Sequence, residues 1–459
     1  MKPHRIRSDA FVFFGATGDL AYKQVFPALQ ALIRRGGLDI PIIGVAKGTG
    51  GLEELVARAR KSLEEHDGLD EAAFAKLRSR LRYVNGDYTD PGTFAQLRKA
   101  LGDAKRPLHY LAIPPTMFAT VAKGLADARC TDQARILLEK PFGRDLASAR
   151  ALNRTLAAHF AEGDIFRIDH FLGKEPVQNL IYFRAANPRV EASFRGTYID
   201  SVQITMAEKF GVEGRGKFYE EVGAIRDVVQ NHMLEVMACL AMESPVGDDH
   251  EAWRDKRSEL LKSVRTLDAA DVVRGQFDGY RGQTGVAPDS TVETFAAVRF
   301  HIDNARWEGT PFYVRVGKCL PTTATEILVR FKCTPAPVLD ESTLAPANTY
   351  RFRISPDIDI AFGTNVKKSG TAMVGQSVEL IAHHQAGDDM HPYERLLGDA
   401  SVGDRTLFAR QDAVEESWRI VDPILGDATP LREYAPGTWG PAEMVQRLVP
   451  DGGGWHDPE

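Results

Sequence analysis

The chain has 459 residues, of which 43% are hydrophobic and 26% charged, and its formal net charge is −6. This length predicts two domains, and the acidic balance argues against a general binder of nucleic acid or of membrane surfaces. No run approaches the roughly 20 apolar residues of a membrane span, and the N-terminal stretch lacks a signal-peptide core, so a cytoplasmic protein is expected.

The first part of the chain alternates short apolar runs with helical patterns. Buried strands are predicted at 11–14, 40–45, 81–84, 108–113 and 134–139, and helices at 20–35, 52–65, 71–81 and 93–101. Strands separated by helices at this spacing indicate βαβ units around a parallel sheet. Residues 1–169 are therefore predicted to form a Rossmann-like dinucleotide-binding domain.

After about residue 170 the runs alternate between apolar and polar side chains. Such strands are predicted at 201–206, 294–301, 311–316, 326–331 and 349–354, with helices at 224–242, 251–263 and 409–421. Alternation favours a mainly antiparallel sheet with one exposed face and helices over the other. We thus expect an α/β domain followed by a larger α+β domain over 170–459.

A glycine-rich turn follows the first strand in the sequence GATGDL, which begins at Gly15. Such a turn between a buried strand and a helix lets the backbone approach a pyrophosphate at the helix N-terminus. The spacing from Gly15 to Gly18 departs from the usual G-x-G-x-x-G pattern, and an ordinary tight turn is the alternative. The βαβ context favours nucleotide binding.

Lys47 stands at the end of the second predicted strand, where an acid would bind a ribose hydroxyl of NAD. A cation there can meet the 2′-phosphate of NADP instead, so NADP is the predicted cofactor. Because lysine lacks the bidentate fork of arginine, use of NAD stays open. The candidate cofactor-binding residues are Gly15, Ala16, Thr17, Gly18, Asp19, Leu20, Lys47, Asp87, Tyr88, Pro115 and Lys140.

The stretch from Asp169 to Lys174 combines an acid, the imidazole of His170 and a lysine. This mixture suits a site that holds a phosphate and steers a proton, although a salt-bridged surface turn is the alternative. Together with the glycine-rich turn, it predicts a dehydrogenase that acts on a phosphorylated small molecule.

Four segments resemble the glucose-6-phosphate dehydrogenase family. They are GATGDLA at 15–21, EKPFG at 139–143, DHFLGKE at 169–175 and GAIRDVVQNH at 223–232. Similarity continues in collinear order over almost the whole chain, and the DHFLGKE block is highly specific. The resemblance implies that the C1 hydroxyl of D-glucose 6-phosphate is oxidised to 6-phospho-D-glucono-1,5-lactone with NADP, the first step of the oxidative pentose phosphate pathway.

By this resemblance, His232 is the catalytic base and Asp169 is the carboxylate that orients it and stabilises its charge. An imidazole suits the proton of the C1 hydroxyl because its pKa lies near working pH. The two residues are far apart in sequence, so only the fold can bring them together. A buried or capping histidine within the predicted helix 224–242 is the alternative for His232.

The resemblance also implies the substrate contacts. His170 and Lys174 would hold the phosphate, the alternative being a solvated charge pair. Glu208 and Asp227 would accept hydrogen bonds from sugar hydroxyls, the alternative being helix and strand salt bridges. Lys140 would lie between sugar and cofactor with a cis peptide to the following proline. The implied substrate-binding residues are Lys140, His170, Lys174, Glu208, Asp227, Lys318 and Tyr393. Hydride passes directly to the nicotinamide, so no metal is expected, and the larger domain would assemble a homodimer or homotetramer.

Two positions depart from the family pattern around the substrate, and a third carries the less common of two residues within that pattern. Gln24 and Thr323 stand where the family carries cations, and Phe171 replaces the commoner tyrosine. Losing two charge-assisted hydrogen bonds of roughly 1.5–3 kcal/mol each would weaken binding unless other cations, such as Lys23 or Arg184, replace them. An NAD(P)-dependent dehydrogenase of another sugar or sugar phosphate is therefore the alternative function.

A non-catalytic, nucleotide-binding relative is the alternative from a different class. Such relatives commonly lose the base or the carboxylate behind it, whereas this chain keeps both His232 and Asp169. An active enzyme is therefore favoured.

Overall fold

The computed structural model describes residues 7–48, 50–66, 68–247, 250–333, 347–370, 375–383, 390–449 and 454–459. They divide into two compact units. The first unit comprises Met1–Glu175, Pro245–Asp255 and Asp389–Glu415, and the second comprises Pro176–Ser244, Lys256–Asp388 and Glu416–Glu459. The predicted single boundary between residues 169 and 170 does not include the two later segments of the first unit. This boundary stays a prediction.

The first unit is built on a six-stranded sheet in which every pair is parallel, in the order β3-β2-β1-β4-β5-β6. Its strands are β1 Ala10–Phe14, β2 Ile42–Ala46, β3 Leu81–Asn85, β4 Pro107–Leu111, β5 Arg135–Glu139 and β6 Ile165–Ile168. Its helices are α1 Phe26–Arg34, α2 Gly51–His66, α3 Glu71–Arg80, α4 Pro91–Leu101, α5 Phe118–Asp127, α6 Leu146–Ala157 and, far along the chain, α12 Pro392–Val402. This is the predicted Rossmann-like arrangement.

Every residue of β1, β2 and β4 is buried, which explains why these strands are largely apolar in the sequence. All five predicted strands of this unit are confirmed to within two residues at each end. The sequence patterns do not predict β6, α5 or α6. The predicted helix 20–35 begins with a π-helical turn at Ala21–Val25 that continues into α1.

The second unit contains a nine-stranded sheet in the order β14-β13-β12-β11-β7-β10-β9-β8-β15. The strands are β7 Ile199–Ala207, β8 Val272–Phe277, β9 Phe295–His301, β10 Pro311–Gly317, β11 Ala324–Phe331, β12 Thr349–Ser355, β13 Asp359–Lys367, β14 Gly375–His383 and β15 Leu431–Tyr434. The pairs β7–β10 and β8–β15 are parallel and the others antiparallel, so the expected mainly antiparallel sheet is confirmed.

Helices of the second unit are α8 Pro188–Ser193, α9 Gly216–Ala224, α10 Leu234–Ala241 and α14 Ala442–Gln446. Three more, α7 Glu175–Ala186, α11 His250–Ser263 and α13 Gln411–Val421, carry residues of both units. The predicted helix 224–242 is in fact a π-helical segment, Ile225–Met233, followed by α10. None of the helices in the described ranges is long and apolar enough to cross a membrane.

The register of the parallel strands decides where the loops of the first unit meet. Phe14 at the end of β1 is opposite Val45 of β2 and Leu111 of β4. Glu139 at the end of β5 is opposite Ile168 of β6. Carboxyl ends of parallel strands lie at one edge of a sheet, so the loops that follow these residues emerge together.

The parallel pair in the second unit has the same consequence. Gly317 at the end of β10 is opposite Ala207 at the end of β7, and the Gly317 carbonyl accepts a hydrogen bond from the Glu208 amide at 3.0 Å. Glu208 and Lys318 therefore leave the sheet side by side.

Glu293 fixes the start of the π-helical segment. Its carboxylate accepts a hydrogen bond from the Ile225 amide at 3.1 Å and pairs with the buried guanidinium of Arg274 at 3.3 Å. Gly223, at φ 64°, lets the chain pass close by, because a Cβ there would lie 2.5 Å from this carboxylate. The segment that carries His232 is thus anchored by a buried ion pair.

We predict that Glu293→Gln lowers the free energy of unfolding by about 3 kcal/mol, since it removes the buried counterion of Arg274 and leaves only the exposed Asp427 at 3.7 Å. Thermal unfolding should show a melting temperature several degrees below that of the parent. Asp303→Asn, which breaks the exposed pair with Arg265, is the control and should leave the melting temperature near the parent value. Equal melting temperatures for both variants would show that the ion pair does not anchor this segment.

Candidate active site

The glycine-rich turn follows β1 at the carboxyl edge of the parallel sheet. Gly15 has φ +82°, and a Cβ there would lie 2.1 Å from the Ala112 carbonyl oxygen, so only glycine fits. The Gly18 amide donates to the Gly15 carbonyl at 2.9 Å, which closes the turn just before the π-helical turn Ala21–Val25. Gly15 therefore forms the tight strand-to-helix turn that is typical of a pyrophosphate-binding loop.

Arg58 of α2 stabilises this turn. It is not among the predicted site residues. Its guanidinium donates to the Gly18 carbonyl at 3.1 Å and lies over the ring of Tyr22, 4.7 Å from the centroid. The Tyr22 hydroxyl in turn donates to Glu65 at 2.5 Å. An arginine near the middle of a helix after the second strand carries no sequence signal that separates it from a solvated surface residue.

Lys47 and Asp87 follow β2 and β3, and their side chains meet at 3.3 Å. The backbone amide and hydroxyl of Thr89 both donate to the Asp87 carboxylate, and these bonds, with Lys47, lower the pKa of Asp87 to about 2. The cation predicted for the 2′-phosphate therefore already faces a fixed negative charge. This ion pair weakens the attraction of Lys47 for a phosphate group.

Tyr88 contacts the glycine-rich turn through its hydroxyl, which accepts from the Gly15 amide at 2.8 Å and donates to the Val45 carbonyl at 3.1 Å. Pro115 begins a short turn, Pro115–Met117, after β4 at the same edge of the sheet. Both residues lie on the loops expected of a cofactor site, and their direct contact with a cofactor stays a prediction.

Lys140 follows β5, and its peptide bond to Pro141 is cis, as the resemblance implies. The preceding Glu139 accepts hydrogen bonds from the hydroxyl of Tyr110 at 2.6 Å and from that of Tyr393 at 3.4 Å. Desolvation of its carboxyl group raises the pKa of Glu139 to about 7. Tyr393, predicted to contact the sugar, thus directs its hydroxyl to Glu139, which is not among the predicted site residues.

The segment from Asp169 to Lys174 forms successive turns, and a helix begins only at Glu175. Asp169 is buried, and its carboxylate accepts from the Phe171 amide at 3.0 Å. The ammonium of Lys174 lies over the Phe171 ring, 3.8 Å from the centroid, and burial lowers the pKa of Lys174. Phenylalanine in place of tyrosine therefore still supports the lysine, through a cation–π contact. His170, the other predicted phosphate ligand, lies within these turns and is partly exposed.

Glu208 and Lys318 of the second unit form an ion pair at 2.5 Å. The Lys318 ammonium lies 4.8 Å from the ring centroid of Phe210 and 5.6 Å from that of Tyr219. Desolvation raises the pKa of Tyr219 well above its ordinary value, and the nearby charges of Asp227 and Glu208 raise it further. The structure therefore gathers three predicted substrate-binding residues, Glu208, Asp227 and Lys318, around one buried tyrosine.

His232 is buried in the π-helical segment, which packs against β9 and β10. Its backbone amide donates to the Asn231 side chain at 2.7 Å. A π-helical segment changes the direction of side chains relative to an α-helix and is frequent at functional sites. Asp169 belongs to the first unit and His232 to the second, so their pairing stays a prediction.

The departures from the family pattern have structural roles of different kinds. The Thr323 hydroxyl accepts from the Lys209 amide at 3.0 Å, which stabilises the loop after Glu208. Arg184 is wholly buried, and its guanidinium binds Glu191 and two backbone carbonyls. The suggestion that Arg184 replaces a missing substrate cation is therefore wrong. Lys23 is exposed beside Gln24, and its role as a replacement stays a prediction.

Comparisons with known proteins agree with this arrangement. Residues 12–179 match the family model "Glucose-6-phosphate dehydrogenase, NAD binding domain", and residues 181–456 match "Glucose-6-phosphate dehydrogenase, C-terminal domain". The chain is 43% identical over 454 residues to glucose-6-phosphate 1-dehydrogenase 1 of Mycobacterium tuberculosis strain H37Rv, an alignment that covers 98% of this chain and 97% of the relative.

Two solved structures are similar over the full length. The crystal structure of glucose-6-phosphate 1-dehydrogenase from Mycobacterium avium has a TM-score of 0.91 and 44% identity, and the match covers 99% of both chains. A glucose-6-phosphate dehydrogenase in complex with its substrate glucose-6-phosphate has a TM-score of 0.90 and 34% identity, with 100% of both chains covered. The chain therefore belongs to the glucose-6-phosphate dehydrogenase family.

Proposed function

We propose that this protein oxidises the C1 hydroxyl of D-glucose 6-phosphate to 6-phospho-D-glucono-1,5-lactone and transfers the hydride to NADP. The observation that carries the proposal is the full-length match to a glucose-6-phosphate dehydrogenase solved with its substrate. The specific DHFLGKE block and the clustered candidate residues within each unit support it. The reaction is the first step of the oxidative pentose phosphate pathway.

NADP fits the residues at the carboxyl edge of the first unit. The turn at Gly15 and Gly18 would hold the pyrophosphate at the start of a helix, and Lys47 would meet the 2′-phosphate. When bound, the nicotinamide ring supplies the hydride acceptor. The Asp87 carboxylate beside Lys47 opposes a phosphate, so we infer that NAD is also accepted, less well than NADP.

His232 is proposed to remove the proton of the C1 hydroxyl as the hydride leaves C1. An imidazole nitrogen takes the proton, and the resulting positive charge is stabilised by Asp169. The hydrogen bond from the Phe171 amide holds the carboxylate of Asp169 in one orientation, as this role requires.

The phosphate of the substrate is assigned to His170 and Lys174. Lys174 is held by the Phe171 ring, so its ammonium loses less conformational freedom when it binds an anion. Glu208, Asp227 and Lys318 are assigned to the sugar hydroxyls. Glu208 and Lys318 are fixed by their ion pair and by the aromatic rings around Lys318, and the charge of Asp227 acts on one of these rings, Tyr219. Lys140 is assigned to the space between sugar and nicotinamide, and Tyr393 to the edge of the sugar.

A second candidate function is oxidation of another sugar or sugar phosphate. It is favoured by two positions, Gln24 and Thr323, where the family carries cations near the substrate. Thr323 is committed to the Lys209 amide. His170 and Lys174 are retained, which keeps glucose 6-phosphate as the first choice.

We further infer a homodimer or homotetramer assembled through the second unit, and a cytoplasmic location. Both inferences rest on membership of the family. The net charge of −6 supports a small-molecule partner rather than nucleic acid.

Replacement of His232 by asparagine should lower kcat by about 10²–10⁴-fold, the usual contribution of a general base, with little change in the Kd of glucose 6-phosphate. Steady-state kinetics and calorimetric titration measure the two quantities. His383→Asn, at an exposed position of β14, is the control and should behave like the parent. A His232 variant as fast as the parent would refute the assigned base.

Lys47→Ala should raise the KM for NADP by roughly 10–100-fold, because a charge-assisted hydrogen bond contributes about 1.5–3 kcal/mol, and should change the KM for NAD little. The exposed Lys123→Ala provides a matched control. An equal rise in the KM for NADP and for NAD would mean that Lys47 does not bind the 2′-phosphate.

The substrate assignment predicts that kcat/KM is highest for glucose 6-phosphate in a panel of sugars and sugar phosphates assayed with both cofactors. Gln24→Lys should raise kcat/KM for glucose 6-phosphate about tenfold, since it adds a cation near the phosphorylated sugar, while Gln24→Met should not. A parent enzyme that prefers an unphosphorylated sugar would establish the second candidate function instead.

A further inference from the structure

The carboxyl group of Glu139 is a titratable group that the proposed chemistry does not use. It lies at the end of β5, directly before Lys140, and two tyrosine hydroxyls donate to it. Tyr110 of β4 donates to Oε1 at 2.6 Å, and Tyr393 of α12 donates to Oε2 at 3.4 Å. Tyr110 is wholly buried and Tyr393 is 9% exposed, so the carboxyl group is held between two rigid side chains.

The charges around Glu139 oppose one another. Desolvation is the largest effect, and it raises the pKa of Glu139. The hydrogen bonds from the two tyrosine hydroxyls and the positive charge of Lys140 lower this pKa, whereas the negative charge of Asp169 raises it. The resulting pKa is about 7. The titratable groups that face it are therefore Tyr110 from β4, Tyr393 from α12, Lys140 directly after β5 and Asp169 after β6. Glu139 changes its charge within the working range of an enzyme.

The strand register places this charge beside the proposed catalytic machinery. Glu139 is opposite Ile168 in the parallel pair of β5 and β6, so the next residues, Lys140 and Asp169, leave the sheet together. The Glu139 carboxyl group interacts with the charges of both residues, since Lys140 lowers its pKa and Asp169 raises it. Lys140 and Asp169 are the two groups of the first unit that are assigned to the reacting end of the sugar and to the base.

We propose that Glu139 is a positioning residue that tunes the oxidation, because its carboxylate adds a second negative charge behind Asp169 and so favours the proton on His232. This inference rests on the proposed function. Glu139 touches neither substrate nor cofactor in this role. It acts through Asp169 and through Lys140, whose positive charge it also supports.

The sign of the effect follows from the two charge states. Below neutral pH Glu139 is protonated and adds no charge behind Asp169. Above neutral pH it is ionised, and the added negative charge stabilises the imidazolium that forms when the C1 hydroxyl gives up its proton. The contribution of Glu139 to turnover is therefore present at alkaline pH and absent at acidic pH.

The test is the pH dependence of kcat for Glu139→Gln, which keeps the shape of the protonated carboxyl group and cannot ionise. With glucose 6-phosphate and NADP, kcat should match the parent near pH 6 and fall about three- to tenfold below it near pH 8.5, with KM unchanged, since one pKa unit corresponds to a tenfold change. A merely structural role would lower kcat by the same factor at every pH.

Tyr110→Phe is the second variant and keeps the carboxyl group. It removes the closer donor, which stabilises the ionised form, so the alkaline rise in kcat should move to higher pH by about half a unit to one unit. This variant decides the question if Glu139→Gln fails to fold.

The outcomes separate the inference from the function on which it rests. Profiles of both variants that superimpose on the parent profile after scaling would overturn the role of Glu139 while leaving the sugar oxidation intact. A parent enzyme that shows no oxidation of glucose 6-phosphate at any pH would overturn the proposed function itself.

Discussion

The in-register ends of parallel strands are the constraint on which the candidate site depends. In the first unit, the pairing of Glu139 with Ile168 brings Lys140 and Asp169 out of the sheet together. In the second unit, the parallel pair β7–β10 inside a mainly antiparallel sheet does the same for Glu208 and Lys318. A shift of one residue in either register would send these side chains to opposite faces. Backbone hydrogen bonds thus fix where these four residues leave their sheets.

The charges gathered at these edges are held by short local contacts. Asp87 is fixed by Thr89, Asp169 by the Phe171 amide and Lys174 by the Phe171 ring. Such contacts pre-organise a site, because the side chains lose little freedom when a substrate binds. The same contacts explain how Phe171 can replace a tyrosine without releasing the lysine that it supports.

Much of the fold could be predicted from the sequence, because buried parallel strands appear as continuous apolar runs. The strand β8, with Arg274 at its centre, the mostly half-buried β13 and the largely exposed β14 were not predicted, since none of them shows an apolar run or a clean alternation. The glycine-rich turn and the DHFLGKE block could be recognised as motifs. Arg58 and Glu139 could not, because their roles depend on contacts with residues distant in sequence.

The central claim is that Asp169 is the electrostatic partner of His232. The most direct measurement is an NMR titration of the His232 imidazole in the parent and in Asp169→Asn, with His383 as an internal reference. The account predicts that removal of the carboxylate lowers the pKa of His232 by about one unit or more and leaves that of His383 unchanged. An unchanged pKa of His232 would contradict the account.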